Sequence, residues 1–368
     1  MAKANLSKAL KRVERNGGAP GSDGMTTAEL RPWLHQHWPQ LRQARDDATY
    51  RPHPVRRVTI PKPDGGQREL GVPTVDRLIC QAIAQVLVPI FDPVFSEHSF
   101  GFRPARSAPQ AVNAARGLIH NGSGWVVDVD LDRFFDRVQH DVLMAHLARK
   151  VADRKVLRLI RQYLVAGIMV GGVKQPSAEG TPQGSPLSPM LANVMLDDVD
   201  RELEGRGHRF VRYADDLRVF VRSERAAQRV LDSVSRFVEG QLKLKVNRTK
   251  SKVTEASEAT LLGFGFWFRA GQTRIRVAKA ALGRCKQRLQ NLTRRNWGTS
   301  VQERIGRINR FATGWMAYFG ISKMPTAFND LDKWLRRRLR QVSWKQWKRG
   351  RTGIASCVDS GSNPGQHE

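Results

Sequence analysis

The sequence FVRYADDLRVFV, at residues 210–221, decides the fold of this chain. Two apolar, β-branched runs flank the adjacent carboxylates Asp215 and Asp216, and this pattern predicts a β-hairpin with the aspartates at its turn. Neighbouring strand residues point to opposite faces, so two adjacent aspartates in a buried sheet require a turn or a cation. A solvated Asp-Asp turn explains the same letters, and the tetrapeptide 213–216 does not decide between these interpretations by itself.

Composition bounds the class of protein. The chain has 368 residues, of which 40% are apolar, enough for two or three domains with a large buried core. Its three cysteines, Cys80, Cys285 and Cys357, lack metal-ligand spacing, so neither a disulfide framework nor a zinc site is expected. No apolar run reaches the ~18 residues of a membrane span, and the N-terminus lacks the apolar core of a signal peptide. We therefore expect a cytoplasmic protein with no membrane partner.

Charge is the strongest overall signal. Lys and Arg number 62 against 34 Asp and Glu, a formal net charge of +28, which indicates a polyanionic partner. Binding to a membrane surface is the competing interpretation. The basic residues, however, share their segments with Trp and Leu at core-like spacing and do not form one detachable amphipathic helix. Residues 271–350 contain 20 Lys and Arg and 3 Asp and Glu, so this region is the expected nucleic-acid surface.

Residues 55–70 predict a second hairpin, in which two β-like runs surround the turn Pro-Asp-Gly-Gly. Lys62 and Arg68 lie beside this turn. Two cations beside a glycine turn suit the binding of a triphosphate. A solvated basic hairpin fits the same residues, and the local sequence leaves both interpretations open.

Residues 99–107 mix aromatic side chains with arginines, including Arg103, in a loop that contains Gly and Pro. Aromatic rings stack on bases and arginines contact phosphates. The loop is therefore a candidate contact with nucleic acid.

Residues 125–131 predict a strand that contains Asp128 and Asp130. Residues two apart share a face of a strand, so these carboxylates cannot both be buried without a compensating charge. Asp130, at the end of the strand, is the first candidate metal ligand.

The order of elements from 125 to 246 predicts one sheet. It is strand, helices, hairpin, helix and a last strand at 242–246, the split βαβ pattern of a ferredoxin-like fold. The first strand and the hairpin are neighbours in that topology, which brings Asp130 and Asp215 together. Two carboxylates from separate strands can hold a pair of Mg²⁺ ions about 3.5–4 Å apart.

Residues 179–189 form a loop dense in Gly and Pro that leads into a helix, with Ser188 at its N-cap and Pro189 at its first position. A plain connector has this composition. A backbone that approaches a ligand closely has it too.

The C-terminal third reads as a tight apolar hairpin at 261–268 followed by helices from Ala278. Apolar stripes along these helices are expected to form a core. Arg336, Arg337 and Arg338 are expected to point outward and to contact nucleic acid. The Gly/Ser-rich tail from Gly350 is expected to be disordered.

Taken together, these motifs resemble the reverse transcriptases encoded by bacterial group II introns, over nearly the whole chain up to Gly350. The resemblance rests on several ordered motifs at family spacing. They are residues 60–63 with 70–77, 99–107, 130–136, 180–193, 213–216, 247–250, 262–264 and 313–319.

The resemblance implies an α+β right-hand polymerase fold in which a ferredoxin-like palm and fingers precede an all-α thumb, or maturase, domain. The implied boundaries are 1–124 for the N-terminal extension and fingers, 125–268 for the palm, 269–350 for the thumb, and 351–368 for the tail. Longer members of the family continue into a Cys- and His-containing endonuclease. Only Cys357 and His367 follow residue 320, too few for such a zinc-stabilised domain, so we expect this chain to lack it.

The resemblance also implies roles for individual residues. Asp130, Asp215 and Asp216 match the catalytic triad that binds two Mg²⁺ ions, for which Mn²⁺ is a substitute. Phe135 matches the aromatic gate against a ribose 2′-OH. The other implied contacts with the incoming nucleotide are Lys62, Arg68, Gln183 and Lys250. The implied contacts with template or primer are Arg103, Gly184, Leu262, Gly263, Phe264, Arg336, Arg337 and Arg338.

The implied function is RNA-directed DNA synthesis on intron RNA, combined with RNA binding that assists splicing and retromobility. The implied partners are intron RNA, a template–primer duplex, target DNA and dNTPs, within a nucleoid-associated ribonucleoprotein. A related polymerase in phage defence, CRISPR adaptation or repair is an alternative. A non-enzymatic splicing chaperone is another, against which the intact aspartates argue. The oligomeric state stays open, a homodimer included.

Overall fold

The computed structural model describes residues 3–20, 24–47, 49–61, 67–72, 76–170, 173–175, 179–181, 184–294, 296 and 298–346. The chain divides into two compact units, residues 1–255 and 256–368. This division precedes the palm–thumb boundary that the sequence predicts after Phe268. The finer division into fingers and palm stays a prediction.

Eight helices of the first unit lie in the described residues. They are α1 (Lys3–Asn16), α2 (Leu30–Asp46), α3 (Asp76–Phe91), α4 (Ala108–His120), α5 (His140–Ala148), α6 (Arg154–Val165), α7 (Ser188–Gly205) and α8 (Glu224–Gln241). The described strands of this unit are β1 (Val55–Pro61), β2 (Gln67–Val72), β3 (Trp125–Val129), β4 (Ile168–Val170), β5 (Val173–Gln175), β6 (Arg209–Tyr213), β7 (Asp216–Val221) and β8 (Lys252–Glu255).

One sheet of the first unit has the order β2-β1-β4-β5. Strands β1 and β2 pair antiparallel from Arg56 opposite Val72 to Pro61 opposite Gln67, which confirms the predicted hairpin. Strand β1 also pairs parallel with β4, and β4 pairs antiparallel with β5. The last two strands are short and Gly-flanked, and the sequence did not predict them.

The other sheet of this unit, called the palm sheet below, has the order β6-β7-β3-β8 with every neighbour antiparallel. This is the order of a ferredoxin-like sheet, and the α+β fold class is confirmed. The predicted last strand, 242–246, is wrong: the fourth strand is β8. Lys243 has a φ of +55°, which breaks an extended strand, and Val246 makes only an isolated bridge to Leu131.

Alternation along the palm strands separates an apolar face from a charged one. Val127, Val129, Leu217 and Val219 are buried in the main core with apolar residues of α7 and α8. Each such side chain contributes about 1.5–3 kcal/mol on burial. The intervening residues point to the opposite face, and there the candidate catalytic side chains lie.

Helix α3 is long and strongly apolar. With the turn after it, residues 76–94, it is long and apolar enough to span a membrane, but half of this segment is buried inside the protein. Ile83 and Leu87 pack in the main core and Leu78 in a second cluster with α1 and α2. These contacts are those of a central helix in a globular unit.

The second unit begins with a three-stranded sheet of order β11-β10-β9. Its strands are β9 (Thr260–Leu261), β10 (Phe264–Arg269) and β11 (Gln272–Val277), and its described helices are α9 (Lys279–Leu292), α10 (Val301–Phe319) and α11 (Pro325–Gln346). The predicted tight turn is present between β9 and β10, and the helices begin where the sequence predicted. Strand β11 was not predicted, so residues 272–277 correct the all-helical expectation for the start of this region.

Candidate active site

Four charged side chains share one face of the palm sheet. Strands β3 and β7 pair with Asp128 opposite Arg218 and Val129 opposite Leu217. The next position outward sets Asp130 opposite Asp216. Partners directly opposite in an antiparallel pair share a face, as do residues two apart. The sheet therefore gathers three carboxylates and one guanidinium.

Arg218 supplies the compensating charge that the sequence required. Its Nη1 lies 2.6 Å from Oδ1 of Asp128 and also contacts Oδ1 of Asp216. The pKa of Asp128 is raised to about 6: burial is the largest cause, the charges of Asp216 and Asp130 act in the same direction, and Arg218 and Lys252 oppose them. The pKa of Asp216 is raised by burial and by Asp130, and Arg218 again opposes the shift. Carboxylates that repel one another in this way favour a bound cation.

Asp215 lies in the turn between β6 and β7, as predicted. The last pair of the hairpin is Tyr213 opposite Asp216, so Ala214 and Asp215 form the two-residue turn. Ala214 has a φ of +58°, the left-handed conformation that such tight hairpin turns need. Asp215 is half-buried and adjoins the charged face at its outer edge.

The backbone at Asp130 is fixed by the segment after α8. The N–H of Asn247 donates to the carbonyl oxygen of Asp130 at 2.8 Å, and the N–H of Asp130 donates to Oγ of Ser251 at 3.0 Å. Asn247 also accepts from the N–H of Lys250 at 3.3 Å. The turn that carries Lys250, a predicted nucleotide contact, therefore lies beside the end of the strand that carries Asp130. The Lys250 side chain is exposed.

Phe135 lies in a short 3₁₀ turn after β3. Phe134 is buried, 2% exposed, and its ring contacts that of Phe135 edge to face at 5.1 Å between centroids. Phe135 is half-buried against the main core. One part of this side chain remains open to a ligand, so its role as a sugar gate stays a prediction.

The loop expected beside the templating base is tied to the same region. The N–H of Gly180 donates to the carbonyl oxygen of Val138 at 2.8 Å, and the ring Nε2 of His140 lies 2.7 Å from the carbonyl oxygen of Gly180. Gly184 is exposed with a φ of +110°, a conformation suited to glycine. Gln183 lies outside the described residues.

The predicted triphosphate contacts are described only in part. Lys62 lies outside the described residues. Arg68 lies on β2 opposite Ile60, and its side chain lies outside the described part of the chain. Their roles stay predictions.

Arg103 has a structural role in place of the expected contact with nucleic acid. Its side chain is 6% exposed. It donates to Oδ1 of Asp92 at 2.7 Å and to three backbone carbonyls of 92–99. We therefore correct the expectation for Arg103: its guanidinium holds this loop together. In the same loop Phe102 is 50% exposed with a φ of +59°.

Of the three C-terminal arginines, two are on the surface. Arg336 is exposed and pairs with Asp332 one turn away at 2.8 Å, and Arg337 is exposed. Arg338 is half-buried and donates to Oγ1 of Thr293 at 2.7 Å and to carbonyl oxygens at the end of α9. Its guanidinium also lies over the ring of Trp334. Arg338 therefore joins α9 to α11, which corrects the expectation that it points outward.

The predicted primer contact at 262–264 is a turn in the core of the second unit. Leu262 and Gly263 have φ values of +52° and +83°. The hydroxyl of Tyr318 donates to the carbonyl oxygen of Leu262 at 3.0 Å. Phe264 is fully buried and its ring packs 4.9 Å from that of Phe319. The buried Phe264 side chain thus packs beneath the turn and is not accessible to a primer. Of the three predicted residues, only Leu262 and Gly263 are partly exposed and could contact one.

Two arginines near the site, the buried Arg212 and the half-buried Arg218, were not predicted from the sequence. The alternation of side chains along the two strands could have indicated both arginines. Arg212 shares a face of its strand with the apolar Phe210, and Arg218 shares a face of its strand with Asp216. A charged residue on a buried face requires an opposite charge nearby. Applying this rule to the arginines as well as to the aspartates would have found both.

Comparison with known proteins establishes the family. The reverse transcriptase (RNA-dependent DNA polymerase) family matches residues 60–266, and the group II intron maturase-specific domain matches residues 282–356. The chain therefore belongs to the reverse transcriptase family and carries the maturase-specific domain of group II introns.

Individual relatives agree with this assignment. Protein YkfC of Escherichia coli is 30% identical over 294 residues, covering 69% of this chain and 77% of that protein. The group II intron-encoded protein LtrA of Lactococcus lactis is 29% identical over 304 residues, 64% of this chain and 51% of LtrA. A putative COX1/OXI3 intron 1 protein of Saccharomyces cerevisiae is 38% identical over 153 residues, 41% of this chain and 18% of the relative. The chain thus spans about half of LtrA and a smaller share of the yeast protein.

The family implies dependence on a divalent metal ion, and the carboxylates fit one by their chemistry. Asp130, Asp215 and Asp216 offer only oxygen donors, which Mg²⁺ and Mn²⁺ prefer. Asp130 lies close enough to Asp216 for its negative charge to raise the pKa of the Asp216 carboxyl. Among the described residues no three acidic, His or Cys side chains already surround a common metal position. In the structure Arg218 provides the positive charge at Asp216.

Proposed function

We propose that this protein is an RNA-directed DNA polymerase that copies the RNA of a group II intron and binds that RNA to assist its splicing. The observation that carries the proposal is the shared face of Asp130 and Asp216 beside the turn of Asp215, in a chain of the reverse transcriptase family. Nucleotidyl transfer requires carboxylates in this kind of arrangement.

Asp130, Asp215 and Asp216 would hold the divalent ions, for which we propose two Mg²⁺ with Mn²⁺ as a substitute. Such ions lower the pKa of the attacking 3′-OH and neutralise charge on the leaving pyrophosphate. The chain's own residues then position the substrate. Lys250 reaches from the turn beside Asp130 toward a nucleotide, and Phe135 limits space beside its 2′ position.

The basic second unit supports binding of intron RNA. Residues 271–350 carry most of the excess charge of the chain, and a positively charged surface binds the phosphate backbone irrespective of sequence. The maturase-specific family match falls on the same region. We propose intron RNA, the template–primer duplex and target DNA as partners of this surface.

Primer extension on poly(rA)/oligo(dT) with Mg²⁺ tests the polymerase proposal. Asp215→Asn removes one candidate metal ligand and little volume, so DNA synthesis should be lost while RNA binding is retained. Asp141→Asn is the matched control, because Asp141 is an exposed carboxylate in an ion pair with Arg161, and it should leave synthesis unchanged. Inactive wild-type protein, or wild-type synthesis by Asp215→Asn, would reject the proposal.

Splicing is tested separately with a group II intron RNA, the partner that we propose for this protein. The protein should accelerate release of the ligated exons, and Asp215→Asn should do so equally well, because RNA binding does not use this carboxylate. An RNA that splices at the same rate with and without the protein would contradict the maturase part.

A further inference from the structure

A buried charged pair lies behind the turn that carries Asp215. Arg212, on β6, and Asp200, on α7, are 1% and 0% exposed. Nε of Arg212 donates to Oδ1 of Asp200 at 2.7 Å, and Nη2 donates to Oδ2 at 2.5 Å. Burial of two charges is costly unless geometry of this kind satisfies them. This pair uses one side of the guanidinium.

The remaining side of the guanidinium faces the catalytic turn. Nη1 of Arg212 donates to the carbonyl oxygen of Ala214 at 2.9 Å and to Oδ1 of Asn193 at 2.9 Å. Ala214 has a φ of +58°, which is unfavourable for a residue with a Cβ. The hydrogen bond from Arg212 thus holds the carbonyl of a strained residue immediately before Asp215.

A neighbouring loop encloses the turn from the other side. The side-chain amide of Asn193 donates to the carbonyl oxygen of Gly101 at 2.9 Å. The N–H of Phe100 donates to the carbonyl oxygen of Arg212 at 2.8 Å, and the N–H of Arg212 donates to the carbonyl oxygen of His98 at 2.9 Å. Backbone and side chain of Arg212 are therefore both fixed, so its Nη1 has a defined position.

We propose that Arg212 is a positioning residue for catalysis: by holding the Ala214 carbonyl it sets the direction in which Asp215 presents its carboxylate to a divalent ion. The inference rests on the proposed polymerase function. Arg212 contacts neither substrate nor ion and acts through the turn. Lysine cannot replace it, because a single ammonium nitrogen cannot span Asp200, Asn193 and Ala214 as a planar guanidinium does.

A purely structural ion pair is the competing explanation, and binding of Mn²⁺ to the protein without nucleic acid separates the two. Arg212→Lys keeps the charge beside Asp200 but loses the contact with Ala214. A misplacement of about 1 Å lowers a rate by up to ~10²-fold, so we expect Mn²⁺ affinity, measured by electron paramagnetic resonance, and kcat for extension each to fall about tenfold or more. The Kd for the template–primer duplex should not change.

Arg304→Lys is the control for loss of stability. Arg304 is also fully buried and donates to the carbonyl oxygens of Thr299 and Arg294 in the second unit. Its replacement should lower the melting temperature without lowering Mn²⁺ affinity. A folded Arg212→Lys protein with wild-type Mn²⁺ affinity and kcat would overturn the inference, while inactive wild-type protein would instead reject the proposed function.

If Arg212→Lys does not fold, Asn193→Ser decides the question. It leaves the pair of Arg212 with Asp200 intact and removes the side chain that aligns Nη1 and reaches Gly101. The expected effect is in the same direction and smaller, about two- to fivefold in both Mn²⁺ affinity and kcat. Unchanged values in a folded Asn193→Ser protein would overturn the inference.

Discussion

The backbone N–H of Thr181 donates a 2.6 Å hydrogen bond to the carbonyl oxygen of Phe135. The turn that carries the candidate sugar gate and the loop expected beside the templating base are therefore directly joined. Both segments would contact the same nascent base pair, and this hydrogen bond fixes their backbones relative to each other at that point.

Phe135→Ala should admit ribonucleotides, because it removes the ring that would contact a 2′-OH. Phe135 is half-buried, so the loss of stability should be smaller than the about 3–5 kcal/mol of a fully buried Phe. Incorporation of rNTPs and dNTPs is measured alongside a melting curve. Phe237→Ala, which truncates another half-buried core ring, is the control and should keep the preference for dNTPs. A folded Phe135→Ala enzyme with unchanged sugar preference would remove Phe135 from this role.

Gly101→Ala should abolish synthesis by moving the catalytic turn. A Cβ at residue 101 would lie 2.2 Å from the backbone N of Ala214, a distance that neither backbone can tolerate without displacement. Gly117→Ala on α4 meets nothing within 4 Å and should stabilise its helix by roughly 0.5–1 kcal/mol. The two variants are compared by extension rate and chemical unfolding. Equal activity of both would show that the turn accommodates the added methyl group.

Arg336 and Arg337 are expected to contact phosphates, and Arg338 is not. Replacement of both Arg336 and Arg337 by Gln should lower the slope of log K against log[salt] for RNA binding by roughly one unit per lost contact. Arg338→Gln should leave this slope unchanged and reduce stability, because it removes the bonds that join α9 to α11. Fluorescence anisotropy over a salt series and thermal melting give the two quantities. A reduced slope for Arg338→Gln alone would reverse this assignment.

Stability should fall in mild acid because of His146. Its side chain is 7% exposed and lies 3.1 Å from Asp198. Burial lowers its pKa below the ordinary 6.5, an effect that exceeds the opposing one of Asp198. The folded state therefore binds the proton less tightly than the unfolded state. As a result, His146 does not reduce the free energy of unfolding above pH 6.5, and it reduces it progressively as the pH falls from 6.5 through the folded-state pKa.

His146→Gln tests this effect by removing the titrating group. Urea unfolding from about pH 8 to about pH 5 should show a smaller loss of stability for the variant than for the wild-type protein. Parallel pH profiles for the two proteins would assign the acid sensitivity to other groups.

Sequence reasoning predicted the elements that are marked by a local repeat of apolar residues, such as the alternation along a strand. The alternation around Asp215 and Asp216 predicted the hairpin, and the topology rule then placed Asp130 beside it. Strand β8 was missed because its four residues, Lys252 to Glu255, are charged at both ends. The alternating Leu242, Leu244 and Val246 imitated a strand because they are buried in an irregular segment.

Contacts between distant segments could not be predicted in the same way. Strand β1 pairs with β4, far along the chain, and neither sequence specifies the other. Arg103 and Arg338 looked like free cations because their partners are mostly backbone carbonyls, which no sequence pattern marks. The resemblance to a family could not correct the assignments of Arg103 and Arg338, because a motif match shows which residue occupies a position and not which groups surround its side chain.

The enclosure of Arg212 restricts how this chain can be recombined with a relative. Asn193, Asp200 and Ala214 contact the Arg212 guanidinium, and Gly101 contacts Asn193, although these residues come from distant parts of the chain. A crossover between residues 101 and 193 would combine halves from two parents, and these positions would match only if both parents filled them alike. A crossover at 255–256 separates none of them. The segment from the 99–107 loop to the Asp215 hairpin is therefore best inherited as a whole, and a shuffled variant that divides it should retain activity only when both parents carry the same residues at these positions.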